Sequence, residues 1–187
     1  MRLPRAGEES AMSADDVRLL GDPVLRRKAE PVSHVGPDTD AIIEMLRATV
    51  DAHSGLGLAA PQVGVLKRVV VVVKVDGEGK RHHYPLINPE IISACGEEIC
   101  EEGCLSIPGI YAEVKRPQSV VVRGLDRSGK KVNMEASGVM ARAFAHEIDH
   151  LDGVLFIDRI GLVKRNLLRN KLNAIKKKAK EMASSRR

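Results

Sequence analysis

Apolar and polar positions along this chain alternate at two periods, and the helical period is clearest in three places. From Asp38 to about His53, Ile42, Met45, Leu46 and Thr49 recur at helical spacing, with Asp38 or Thr39 placed to cap the start and Gly55 just beyond the end. A second helix is predicted after Ser137, read as its N-cap, and before Gly153, read as the left-handed residue that ends it. A third runs from about Lys164 to Met182, where Leu168, Leu172, Ile175, Ala179 and Met182 form one stripe.

Strand signals lie between the helices. Arg68–Val75 (RVVVVVKV) is an unbroken β-branched run, the pattern of a strand covered on both faces. Leu86–Ser93 contains Pro89 and reads as an edge strand. Val120–Leu125 and Lys131–Ala136 flank a turn at Asp126–Gly129 and read as a hairpin. Residues 55–64, GLGLAAPQVG, read as a loop or extended segment. The expected fold is α+β, a single compact domain with antiparallel or mixed sheets around a central helix.

Length and composition narrow this reading. The 187 residues suit one domain that buries its own core. That core must be aliphatic, since Trp is absent and the only aromatics are Tyr84, Tyr111, Phe144 and Phe156. Residues 1–16 are polar and read as a flexible extension, 17–163 as the catalytic domain, and 164–187 as a basic amphipathic helix. Of the net charge of +5, residues 159–187 contribute +10, which leaves a mildly acidic body. Such asymmetry fits a solvated helix face as well as it fits contact with nucleic acid or an anionic surface. Three cysteines without a signal peptide suggest a reducing compartment, and a cytoplasmic location is expected. No apolar run approaches the roughly 18–20 residues of a membrane span, so no membrane partner is expected.

The strongest chemical signal is HEIDH, His146 to His150, inside the second helix. Residues four apart share one helix face, so both imidazoles can grip one cation, and Glu147 stands beside them to move protons of a bound water. A catalytic metal usually takes a third protein ligand. The position six residues past His150, where one metalloprotease type has another His, is Phe156. Glu181 lies poorly in the basic terminal helix, and Asp152 and Asp158 lie very close in sequence but stay open as ligands. Upstream, Cys104 sits in EGCLS beside Gly103, whose small size lets the backbone approach closely. Cys95 and Cys100 read as small buried residues.

GLGLAAPQ (55–62), EGCLS (102–106) and HEIDH (146–150) together resemble the three signature motifs of the peptide deformylase family. Supporting stretches include GDPVLR (21–26), LINPEI (86–91) and SIPGIYAEVKRP (106–117), so the likeness runs from about Val17 to Ile160. This family removes the formyl group from the N-terminal formylmethionine of new proteins. The resemblance implies Cys104, His146 and His150 as metal ligands, a metal-bound hydroxide as the nucleophile, and Glu147 as general base and then acid. It places the Leu105 backbone N–H and the Gln62 amide at the oxyanion, and the Gly57 backbone against the substrate peptide. Leu56 and Val139 fall at family-like positions for the methionine slot, although Val139 equally suits a core. Arg142 reads as a solvated helix residue, and Asp149 as support for a ligand or a partner for an Arg.

By ligand chemistry zinc fits this donor set readily, whereas the resemblance implies one ferrous ion (Fe2+) per chain, with Zn2+, Ni2+ or Co2+ able to substitute. It also implies formylmethionyl N-termini of nascent peptides as partners, with ribosome docking through the basic C-terminal helix and no DNA partner. On that basis, deletion of residues 164–187 is expected to weaken ribosome binding and spare turnover of a short formyl peptide. Two rival readings are a zinc endopeptidase using HEIDH with an acidic ligand, and a nucleic-acid-binding protein whose metal is structural.

Overall fold

The computed structural model describes residues 17–185, so the expected N-terminal extension 1–16 lies outside the described residues. Three α-helices and seven strands follow in the order α1 (Pro37–Ala52), β1 (Gly57–Ala59), β2 (Val69–Val75), β3 (Arg81–Cys95), β4 (Glu98–Cys104), β5 (Ile107–Arg116), β6 (Ser119–Leu125), β7 (Lys131–Ser137), α2 (Val139–Leu151) and α3 (Leu162–Ser185). All pairings within the sheets are antiparallel: five strands in the order β1-β2-β3-β6-β7, and a separate hairpin of β4 and β5.

Strand β2 organises the body. Val69, Val71 and Val73 face a cluster built with Ile42, Ile43, Leu46 and Val50 of α1. Val70 and Val72 face the opposite cluster, with Ala141, Phe144, Ile148 and Leu151 of α2. The five valines are at most 1% exposed, as an unbroken β-branched run requires when a helix covers each face. Burying each such side chain stabilises the fold by about 1.5–3 kcal/mol before entropy is counted.

Two local expectations are corrected. Helix α1 begins at Pro37 with Gly36 at the N-cap, not Asp38 or Thr39, because Pro at the first helical position loses no hydrogen bond there. Likewise Gly138 precedes α2, and Ser137 ends β7 instead of capping. The segment read as an edge strand is the second half of β3, third of five in the sheet order. Strand β2 pairs with β3 only as far as Ile87, so past that point β6 alone pairs with it and the edge reading holds there. Pro89 is tolerated there because the β2 pairing has ended and the register with β6 shifts between Ile87 and Glu90, with Asn88 at φ 51°, so its missing N–H falls where the ladder is interrupted. The β4–β5 hairpin carries no run that alternation alone singles out in β4, whose sequence is EICEEGC. Its partner β5 does alternate, with Ile110, Ala112, Val114 and Arg116 turned inward.

Helix α3 closes a third cluster. Leu172 meets Leu20, Ile107, Ile110 and Phe156, with Leu168 and Ile175 packed alongside. The stripe read from the sequence is therefore a packing face, although Leu162, Val163 and Leu167 at the start of the helix stay 77–81% exposed. No described helix is long and apolar enough to cross a membrane.

Candidate metal centre

Three side chains from two elements converge on one point. Cys104 ends β4, and His146 and His150 stand on one face of α2, with their ligand atoms all within 4.8 Å of one another. Cys104 Sγ lies 3.3 Å from His150 Nε2, and the two imidazole rings meet edge to face at 5.0 Å. Burial and the nearby positive charge of His146 and Arg116 hold His150 well below its ordinary pKa, which favours the neutral ring that binds metal. Burial opposes the charged form of His146, yet Cys104 and Glu102 beside it raise its pKa well above the ordinary value. A cluster that draws positive charge onto a buried imidazole suits a divalent cation, and the S/N/N donors fit one.

Support for the ligands comes from residues that motif reading passed over. Glu102 accepts from His146 Nδ1 at 3.0 Å, which leaves Nε2 for a metal. Arg116 donates to both Glu102 oxygens at 2.7 and 2.9 Å and to Asp149 at 2.6 Å. Burial alone would raise the Glu102 pKa, but the bonds from His146 and Arg116 hold it down at about 2. Asp149 also pairs with Arg159, as its expected role as an Arg partner requires. The signal for Arg116 was present in β5, where an arginine takes the next inward position after Ile110, Ala112 and Val114.

The acidic residues left open as third ligands are engaged elsewhere. Asp152 accepts from Arg68 at 2.7 Å, and Asp158 pairs with Arg26 and accepts from the Leu155 N–H. Phe156, at the position where another metalloprotease type has a ligand, stacks on His146 at 6.3 Å.

Glu147 is 4% exposed, and its Oε2 has no hydrogen-bond partner among the described residues. Burial pushes its pKa up to about 7, with His146 opposing and Glu102 adding to the rise. A carboxyl poised there can accept and return a proton near neutral pH. Gly57 makes room for it: a Cβ at that position would lie 2.5 Å from Glu147 Oε1. Gln62 is 2% exposed and held by its Oε1, which accepts from the Ala59 N–H at 2.8 Å. Its Nε2 donates to Ser106 Oγ at 3.3 Å and points to Cys104 Sγ at 3.6 Å.

These groups line a cleft of about 890 Å³ that also receives Leu56, Leu105 and Val139. Leu56 and Val139 are 45% and 48% exposed, so Val139 is a wall of the cleft and not a core residue. Lys178 and Met182 reach the same cleft from α3. The helix read as a separable basic element thus covers part of the core and borders the site.

The family model for polypeptide deformylase matches residues 14–166. The chain belongs to this family. A peptide deformylase of Thermodesulfovibrio yellowstonii is 47% identical over 88% of this chain and all of its own. One from Halothermothrix orenii is 51% identical over 77% of this chain and 92% of its own. Among solved structures, the Thermus thermophilus peptide deformylase has a TM-score of 0.80 at 40% identity, covering 88% of this chain and 98% of its own. A plant peptide deformylase reaches 0.84 at 35% identity, covering 90% and 92%. This deformylase removes the formyl group from the N-terminal formylmethionine of nascent chains, and the family and the Cys/His/His cluster indicate a divalent metal.

Proposed function

We propose that deformylation takes place in this cleft, with Cys104, His146 and His150 holding the metal and Glu147 moving the protons. The observation that carries this is the meeting of the three donors within 4.8 Å beside a buried carboxylate oxygen that has no hydrogen-bond partner among the described residues. A bound divalent cation supplies Lewis-acid polarisation and acidifies water toward neutral pH.

Glu147 takes the proton of the attacking water and returns it to the amine that leaves. As the formyl oxygen becomes negative, Gln62 Nε2 and the Leu105 backbone N–H donate to it; such donors are worth about 3 kcal/mol each. The anchoring of Gln62 Oε1 on Ala59 supports this role, because a donor already oriented needs no reorganisation. The methionine side chain lies between Leu56 and Val139, and the peptide runs along the Gly57 backbone.

The working metal in this reading is Fe2+, one per chain, with Zn2+, Ni2+ or Co2+ as substitutes. Its thiolate ligand makes an iron-loaded enzyme oxygen-sensitive, and undiminished activity after prolonged aeration would argue against iron. The enzyme acts in the cytoplasm, and the basic face of α3 docks it on the ribosome. Because Leu172 is buried and Met182 borders the cleft, deletion of α3 is too blunt a test of docking. Charge reversal at the exposed Lys171 and Lys177 is the sharper one. It should weaken ribosome binding and flatten its salt dependence, and unchanged binding at low salt would count against docking.

The deciding experiment for the site incubates metal-loaded enzyme with formyl-Met-Ala-Ser. Formate release should fall by roughly 10³-fold or more in Glu147→Ala while metal content stays at one per chain. Retained metal and activity in Cys104→Ala would favour the endopeptidase reading, and function intact in Glu147→Ala the structural-metal reading.

A further inference from the structure

Helix α2 presents one stripe to the cleft: Val139, Arg142, Ala143, His146 and Glu147 all line it. Steps of three and four residues put these side chains on one helix face. Arg142 thus stands one turn from His146 and one turn from Val139, between the metal ligands and the methionine slot. It is half-buried, and no carboxylate of the described residues pairs with it.

Among the described arginines only Arg27 and Arg169 share that isolation, and both are exposed. Arg116, Arg159, Arg26, Arg68, Arg81 and Arg127 each have an acidic partner. A second cavity of about 490 Å³, lined by Arg47, Arg81 and Arg127, is neutralised in the same way by Glu44, Asp51 and Asp40. In the cleft, Glu102 is already taken by Arg116 and His146. Glu101 and Lys178 also line it, but both are exposed and screened by water. A half-desolvated guanidinium gains most from a planar anion that accepts two parallel hydrogen bonds.

We propose that Arg142 is a carboxylate-binding residue of the cleft. The proposal rests on the reading that the formylmethionyl peptide binds there. Two carboxylates can reach this place: the side chain of an acidic residue following the methionine, and the formate released by the reaction. Either is read by the same fork of N–H donors, so Arg142 acts on substrate preference or on product retention and takes no part in the proton transfers.

The test uses metal-loaded enzyme, wild type beside Arg142→Gln and Arg142→Lys. KM and kcat are measured for formyl-Met-Ala-Ser and formyl-Met-Asp-Ser, and the inhibition constant of formate for the neutral peptide. If the acidic side chain is the ligand, Arg142→Gln raises KM for the Asp peptide about tenfold relative to the Ala peptide. If formate is the ligand, its inhibition weakens about tenfold and the peptide ratio stays put. In both cases Arg142→Lys retains part of the effect. Unchanged ratio and unchanged formate inhibition in Arg142→Gln overturn the proposal, whether or not both peptides lose activity equally.

Should the Gln variant fail to fold, wild-type enzyme decides the matter with neutral isosteres. It should prefer the Asp peptide to formyl-Met-Asn-Ser, or be inhibited by formate more than by formamide; neither preference overturns the proposal. A wild-type enzyme inactive on formyl-Met-Ala-Ser would instead overturn the reading of the cleft itself.

Discussion

Helices α2 and α3 are both amphipathic, yet they treat polar and apolar groups in opposite ways. Helix α2 buries Glu147, Asp149 and His150 and surrounds them with partners or a metal site. Helix α3 leaves Leu162, Val163 and Leu167 in solvent and buries only Leu172 and Ala179 well. A buried charge costs several kcal/mol unless it is paired, so each polar residue of α2 implies a specific neighbour. An exposed leucine costs little and implies nothing about its surroundings. Residues of α2 should therefore be sensitive one by one, and those of α3 only where they touch the third core cluster.

The comparison can be broken or sharpened by substitution, beginning beside α2. The loss of roughly 10³-fold in formate release for Glu147→Ala is the largest effect expected, and normal turnover would end the contrast at once. Next is Arg116→Leu, which leaves Glu102 and Asp149 as buried carboxylates without their shared cation. Thermal or urea unfolding should show a loss of about 3–5 kcal/mol, and metal affinity should fall by roughly 10–100-fold. A change below about 1 kcal/mol would mean that water replaces the guanidinium without strain.

Glu102 gives a pH signature with a definite sign. Its folded pKa, about 2, lies below the ordinary 4.5, so it contributes stability that is present above pH 4.5 and lost as pH falls toward 2. The depression corresponds to about 3 kcal/mol. Metal-free wild-type protein should lose on the order of that much more stability than Glu102→Gln across this window. Parallel curves for the two proteins would show that the pairing with Arg116 and His146 contributes nothing net.

The two smallest effects belong to α3. Leu172→Ala, at 5% exposure against Ile107 and Phe156, should cost about 2–3 kcal/mol of unfolding free energy. Leu167→Ser, at 81% exposure, should stay within about 0.5 kcal/mol. A large loss at Leu167 would mean that the start of α3 is covered in solution.

Much of the fold was legible because its signals are local. The valine run announced a strand covered on both faces, and Val69–Val73 are buried between α1 and α2. The turn at Asp126–Gly129 announced the β6–β7 hairpin, where Asp126 accepts from the Ser128 and Lys130 N–H groups. Misreadings arose where a local signal competed with a tertiary one. Ser137 looked like a cap, but it ends β7 and Gly138 precedes the helix. Asp38 and Thr39 looked like caps, but Pro37 next to Gly36 starts the helix first.

By itself the sequence determined the spacing of His146, Glu147 and His150 on one helix face, since the period of an α-helix depends on the backbone alone. It also supplied the three motifs whose likeness pointed to a deformylase. What only the tertiary structure decided is which distant residues complete that face. The likeness had already named Cys104, 42 residues earlier. Packing adds Glu102, which reaches His146, and Arg116, which reaches Glu102 and Asp149, because β4 and β5 pair. Arg142 likewise looked like any solvated helix residue until the cleft formed around it, with none of the described acids paired to it. Partners of this kind are set by packing across the whole domain, and no local period of the chain encodes them.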